Sequence, residues 1–486
     1  MANRRALVLS TLVAACGPDT GIEATSDSGT SGVSGSTSAD DDPGVTTTAP
    51  TGDTTDTPTS SPTSEGTSGE PPPLACSELS IADPGLLAAI RDALAIPEGP
   101  IPGEAAAALL FLTSMQPVAS LAGIECLTGL QRLALYDSTV TDLGPLASLH
   151  ALDDLQLRSS AVTDLEPLVG LPLRSLYVGD APLADLGPLT QMPQLQYLSL
   201  VGTAVADLSP LTDHPGLRAF SLADSTPQSI APLASIPALH SLSLENCGLT
   251  SVSELAALPD LEILGLQDNQ LTDLTGLAGM TRLENLWAAN NQIGDLSALA
   301  GLPALAIVEL ANNQIVDLSP LSSVPLLSRL LVGDNQISDL TPLAAATELL
   351  ALYVDGNPLA GLQGLEAHGL GWLSAADTGL TELPVLAPET LRYLNLANNA
   401  ITDLAPIAGH AALEEVRLEH NAITDLGPIA EAPWLSAGCV QLDVRANPLD
   451  AMSVAVTLPA MCEHELTATW DQGSCAWDPR ICEIPI

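Results

Sequence analysis

Apolar and polar positions recur along this chain in one fixed phrase. Its cleanest copy is Leu261-x-x-Leu264-x-Leu266-x-x-Asn269-x-Leu271-x-Asp273-Leu274. With Asn269 as register mark, the equivalent positions are Gln116, Ser138, Ser160, Ala181, Thr203, Ser225, Cys247, Asn269, Asn291, Asn313, Asn335, Asn357, Thr378, Asn399, Asn421 and Asn447. Eleven of the fifteen intervals are 22 residues, three are 21 and the last is 26. A fixed period of this size predicts a stacked solenoid, because each unit can bury its apolar edge only against its neighbours. Leu264-x-Leu266 reads as a short strand with its leucines inward and the residues around them on the opposite face. The following Asp-Leu-x-Pro-Leu, as in Asp142 to Leu146, Asp317 to Leu321 and Asp339 to Leu343, reads as a 3₁₀ turn capped by the aspartate.

This phrase is similar to the leucine-rich repeat, in the 22-residue version found in bacterial internalins. The resemblance covers residues 76 to about 466. It implies an α/β repeat solenoid: a right-handed horseshoe with one parallel sheet on its concave face, 3₁₀ turns on its convex side, and caps at both ends. Fifteen steps of about 4.8 Å give an inner arc of roughly 70 Å. The N-terminal cap, 76–113, is expected to be helical. Asp83 serves as N-cap and Pro84 as first residue of one helix, and a second helix is expected over Gly103–Leu112. The repeats are assigned to 114–448 and a cysteine-containing C-terminal cap to 449–486, with a helical stretch near Met452–Met461 followed by Leu466–Trp470.

Ahead of the repeats stand two segments of another kind. Arg4 and Arg5 precede a short apolar run, Ala6 to Ala15, that is too short for a permanent membrane span and reads as a signal peptide (1–15). Val13-Ala14-Ala15-Cys16 resembles the lipobox of bacterial lipoproteins, which implies cleavage before Cys16, lipidation of its sulfur and residence in the bacterial envelope, at the outer membrane or cell surface. Residues 16–75 are rich in Ser, Thr, Gly, Pro and Asp and carry too little apolar surface to fold. A flexible segment of this length spans roughly 40 Å.

Composition narrows the partners. The chain has 58 acidic residues against 13 basic ones, a formal charge of −45, and all 13 basic residues are arginine. Such a balance repels nucleic acid and anionic headgroups, leaving the lipid anchor as the expected membrane contact. Eight cysteines are present. Cys247 occupies a register position and reads as a buried free thiol. Cys76 and Cys126 bracket the N-terminal cap. Cys439, Cys462, Cys475 and Cys482 suffice for two bridges, with three pairings open. The set Cys462, His464, Cys475 and Cys482 matches no zinc spacing. No catalytic or cofactor-binding motif can be assembled from the seven histidines and the repeat-cap carboxylates, so the chain is expected to bind without catalysing and without a cofactor or metal.

Outward strand positions give a sharper signal. All five tyrosines (Tyr136, Tyr177, Tyr197, Tyr353 and Tyr393) and Trp287 and Trp372 fall on the concave face, whereas Phe111 and Phe220 do not. Arg329, Tyr353, Trp372, Tyr393 and Arg417 come from five consecutive repeats and form one band roughly 20 Å long. Tyr, Trp and Arg are the residues enriched in interface hot spots, so a macromolecular partner, a protein, is expected there. Aromatics beside Asp and Asn also suit stacking on a polysaccharide, and a structural envelope role without a specific ligand is the other alternative. The residue before each mark is Asp or Asn in ten repeats, among them Asp137, Asp180, Asp224, Asp268 and Asp334. Turn chemistry and a calcium or basic ligand are both open for this row.

Overall fold

The structure is a computed structural model that describes residues 76–383, 386–387, 389–436, 440–463, 466–471 and 473–475. The signal segment, Cys16 and the Ser/Thr/Gly/Pro segment lie outside those residues, as do Cys439, His464, Trp477 and Cys482.

Among the described residues, seventeen parallel strands follow one another from Phe111–Ser114 to Leu466–Trp470, each paired with the strand before and the strand after it. A final antiparallel strand, Gly473–Cys475, closes the far edge. The register is strict: Leu264 lies opposite Leu242 and Leu286. Leu261, Leu264, Leu266, Leu271, Leu274 and Leu277 are all fully buried, so each repeat contributes one layer to a continuous leucine core. Burying each such side chain contributes about 1.5–3 kcal/mol, which is realised only when the neighbouring layers are present.

The turn behind each strand is capped as the aspartate spacing implies. Gly144 N donates to Asp142 Oδ1 at 2.7 Å and Ser319 N to Asp317 Oδ1 at 2.8 Å, each opening a 3₁₀ turn (Gly144–Leu146 and Ser319–Ser323). The register asparagines tie repeats together. Asn269 Nδ2 donates to Leu244 O in the preceding repeat and to Leu266 O and Gln267 O in its own, while its Oδ1 accepts from Cys247 N and Leu249 N.

At the N-terminal end, the helix Pro84–Leu94 begins on Asp83, whose Oδ1 accepts from Leu86 N and whose Oδ2 accepts from Ala119 N and Ser120 N. One carboxylate thus caps the helix and fastens it to the first repeat. Burial opposes its ionisation, but these backbone donors hold its pKa below the ordinary value. The second helix is shorter than expected, Gly103–Ala107, because Phe111–Ser114 is already the first strand of the sheet. Cys76 is bonded to Cys126 and Cys462 to Cys475. At the other end a π-helical turn, Ser453–Thr457, runs into the helix Leu458–Met461. No helix among the described residues is long and apolar enough to cross a membrane.

Candidate functional site

The strand registers sort the solvent face of the sheet into three rows. One contains Arg132, Asp154, Ser175, Tyr197, Arg329, Trp372 and Tyr393, and the next contains Gln156, Tyr177, Trp287, Tyr353 and Arg417. Tyr136 and Arg158 stand in a third row, just past the ends of their strands. The five residues Arg329, Tyr353, Trp372, Tyr393 and Arg417 therefore do come from five neighbouring strands, about 4.8 Å apart.

Within this band the arginines bracket the aromatics. The Arg329 guanidinium lies 5.8 Å from the centre of the Tyr353 ring and that of Arg417 lies 5.9 Å from the Tyr393 ring. Trp372, between the two tyrosines, is 45% exposed. Arg417 is also paired with Glu415 at 2.6 Å. Burial raises the Tyr393 phenol above its ordinary pKa, against the pull of Arg417. Burial likewise raises Glu309, against the nearby Arg329. Beside the rings runs a fixed polar line: Asn395 Nδ2 donates to Ser374 Oγ (3.0 Å), and Ser374 Oγ donates to Asp355 Oδ1 (2.6 Å). The Tyr353 and Tyr393 rings are thus each held by an arginine, an arrangement that would lower the ordering entropy of any contact made there.

A second cluster lies at the N-terminal end of the same face. Arg158 is held between two rings, 5.2 Å from the centre of Tyr136 and 4.8 Å from that of Tyr177. Next to it, Arg132 lies 5.9 Å from the Phe111 ring and pairs with Asp154 at 2.7 Å. Phe111 corrects the sequence reading. With Gln116 as first mark it falls off the solvent face, but the strand pairing sets Phe111 opposite Arg132, and the side chain is 56% exposed. A one-residue difference in register moves a side chain to the other face of a sheet. Arg158 and Arg132 were also missed. Their spacing from the marks Ser160 and Ser138 carries the signal, since it matches that of other outward positions. Phe220 is buried in the core; Tyr197 lies on the strand next to that of Tyr177, at the edge of this cluster, and Trp287 lies on a strand between the two clusters. Between the clusters the sheet presents small side chains, including Ala219, Ser221, Ser243 and Gly265.

The Asp/Asn row before each mark has a local cause. Asp180, Asp224, Asn246, Asp268, Asn290, Asn312, Asp334, Asp377 and Asn398 all have φ between 48° and 58°, a left-handed conformation that Asp and Asn tolerate better than other side chains. Asp137 is the member of the row without it. Members also bond one another, as Asn246 to Asp224 (2.7 Å) and Asn312 to Asn290 (2.8 Å). Among the described residues no group of three or more His, Cys, Asp or Glu is arranged to hold a metal. Three histidines, His214, His368 and His410, lie in loop segments yet are buried. His214 and His410 follow 3₁₀ turns, at the position that Met280 and Val324 fill with an apolar side chain in other repeats. Cys247 is free and buried, and desolvation pushes its thiol up to about 12, which keeps it unreactive at neutral pH.

Residues 237–279, 281–323 and 389–431 match the family described as Leucine Rich repeats (2 copies). Among solved structures, an internalin (inlF) from Listeria monocytogenes is 31% identical, over 69% of this chain and 95% of that one, with a TM-score of 0.58. A leucine-rich repeat protein of Leptospira interrogans is 22% identical over 68% of this chain and 92% of that one, with a TM-score of 0.60. The ectodomain of the plant receptor kinase GASSHO1/SCHENGEN3 from Arabidopsis thaliana, solved with Casparian strip integrity factor 2, is 18% identical over 72% and 49%, with a TM-score of 0.54. No curated protein matches the chain.

Proposed function

We propose, since the chain belongs to the internalin-like leucine-rich repeat proteins, that it holds a protein partner on the solvent face of its sheet, in recognition or adhesion at a bacterial surface. The observation that carries this reading is the band Arg329–Tyr353–Trp372–Tyr393–Arg417, five hot-spot side chains on consecutive strands with both ends fixed by cation–π contacts. The plant ectodomain, which shares the fold, was solved with a bound factor, so solenoids of this type can present a binding surface. Lipidation at Cys16 and the Ser/Thr/Gly/Pro segment complete the proposal: an anchor, a spacer of roughly 40 Å and a rigid binding sheet.

The test is affinity capture with the full chain and with Tyr353→Ala/Trp372→Ala/Tyr393→Ala, from envelope extracts and target cells. Truncating a hot-spot aromatic costs about 2 kcal/mol or more, roughly a thirtyfold loss of affinity. A partner retained by the triple variant at wild-type affinity refutes the site. Competition by free glycans reassigns the ligand to a polysaccharide. The anchor is tested separately: Cys16→Ala should move the protein to the soluble fraction, and continued membrane retention refutes lipidation.

A further inference from the structure

A chain this acidic has carboxylates to spare for its arginines, and most of the described arginines are satisfied. Arg132, Arg282, Arg392, Arg417 and Arg445 pair with carboxylates. Arg158 and Arg329 lie over tyrosine rings, and Arg91 donates to the carbonyls of Ile96 and Gly99. Arg174 and Arg218 differ: among the described residues neither side chain has an ion pair, a hydrogen bond or a ring contact. Both are exposed, and they occupy equivalent positions two repeats apart, each just before its strand.

The backbone fixes their spacing. Arg174 O accepts from Gln196 N, and Gln196 O accepts from Arg218 N, so the three residues form consecutive rungs along one edge of the sheet. The two arginines therefore start roughly 10 Å apart, with an amide between them. A cavity of about 280 Å³ opens at this point, lined by Arg174, Gln194, Gln196 and Arg218 over Pro193 and Pro215. Acidic neighbours do not neutralise it. Asp153, one rung before Arg174, forms no ion pair with it, and Glu262, two rungs beyond Arg218, is taken by Arg282.

We propose that this cavity is an oxyanion site, which takes a carboxylate or phosphate group between the Arg174 and Arg218 guanidiniums with the Gln196 amide as a further donor. Two planar guanidinium forks can each give parallel N–H bonds to one oxyanion, and such charge-assisted bonds are the strong ones. The site is separate from the aromatic band and does not depend on its role.

Calorimetric titration of the full chain with sodium phosphate, and separately with sodium acetate, tests this at ionic strength held constant with sodium chloride. Saturable uptake is expected, weakened about tenfold or more in R174Q/R218Q and unchanged in R282Q/R392Q, which removes the same charge from paired arginines. Saturation by acetate alone assigns a carboxylate, and by phosphate alone a phosphate; either supports the site. No saturable uptake of either anion by the wild type, or equal uptake by R174Q/R218Q, overturns it. Both arginines are exposed, so the double variant should fold, and an unchanged far-ultraviolet spectrum verifies that.

Discussion

Between Arg132 and Glu245 the strands run four or five residues, whereas from Ile263–Gly265 to Glu415–Arg417 they run three. The difference follows the register residue. In the earlier repeats, where the mark is Ser, Ala, Thr or Cys, the backbone N–H two residues before the mark continues the parallel ladder, as Arg158 N does to Leu135 O at 2.9 Å. In the later repeats, that of Thr378 apart, an asparagine takes the corresponding carbonyl: Asn291 Nδ2 bonds Leu266 O at 2.9 Å, and Asn313 Nδ2 bonds Ala288 O at 3.0 Å. At Thr378 the Ala376 N–H is instead drawn off the ladder by Asp355 Oδ1 at 2.7 Å. The backbone ladder ends earlier there and a side-chain ladder replaces it. Each arrangement satisfies the same buried carbonyls, which cannot be left without partners. The asparagine version concentrates several bonds in one side chain; the earlier version spreads them along the strand.

The cap disulfide should show whether these two halves unfold separately. All five tryptophans lie at position 287 or beyond, so tryptophan fluorescence follows the asparagine half while far-ultraviolet dichroism follows both. Cys76→Ser/Cys126→Ser opens a loop with a sequence separation of 50, worth about 4 kcal/mol in the chain-entropy account. In urea the dichroism transition should gain an early phase that fluorescence does not see. If both probes shift together, the solenoid is one cooperative unit and the contrast between halves is one of bonding only.

A smaller but more local effect is expected from the marks themselves. Asn335 makes bonds to Leu310 O, Val332 O and Gly333 O and accepts from Ile315 N, so Asn335→Ala should cost about 3 kcal/mol in urea unfolding. Ser225 bonds through one hydroxyl, shared among Thr203 O, Ala223 O and Thr203 Oγ1. Ser225→Ala should cost about 1 kcal/mol. Equal losses in the two variants would show that the side-chain ladder adds nothing beyond the backbone one.

The solenoid was legible because its period is carried by apolar spacing, which a sheet and a leucine core translate directly into layers. Asp83 and Pro84 marked the first helix for the same reason: one carboxylate and one fixed φ act locally. What escaped depends on pairing. Phe111 needed the register between its strand and the strand of Arg132, and the mark Gln116 is one residue out of step with that register. The stacking of Arg158 between Tyr136 and Tyr177 joins three repeats. Arg174 and Arg218 became a pair through a cavity between rungs, and no motif in the sequence announces it. The buried histidines are in loops, where a polar side chain suggests exposure, yet these loop positions face the core.

Those histidines make a prediction that should be alike in both halves. His214 and His410 are both lowered from 6.5 by burial. A base whose folded pKa is depressed gives stability that is present above 6.5 and is lost as pH falls through and below that value, because the unfolded chain binds the proton first. Neither ring nitrogen of His410 has a hydrogen-bond partner. His410→Met, matching the residue type at Met280, should therefore raise stability by about 1 kcal/mol at neutral pH and flatten part of the loss between pH 6.5 and 5. Urea midpoints measured across that range check it; a variant that keeps the wild-type slope would mean that His410 does not stay neutral in the fold.

The smallest effect is the most discriminating, because it sits at the junction of the two halves. Cys247 already points its sulfur at the carbonyls of Leu222 and Glu245, the acceptors that an asparagine mark would use. An asparagine mark also accepts backbone N–H groups from the preceding repeat: Asn335 takes that of Ile315, and Asn269 takes those of both Cys247 and Leu249. For position 247 the corresponding residues are Ser225 and Pro227, and proline has no N–H to give. Cys247→Asn alone should thus change stability by about 0.5 kcal/mol or less. With Pro227→Leu, which restores the donor, the pair should show a favourable coupling of about 1 kcal/mol in a double-mutant cycle. The new amide should also take Leu222 O from the ladder, so the Glu245 N–H should exchange with solvent faster and the strand Ser241–Glu245 should shorten toward the three-residue form. Faster exchange at Glu245 without the coupling would mean that the side-chain ladder displaces the backbone ladder but does not strengthen it.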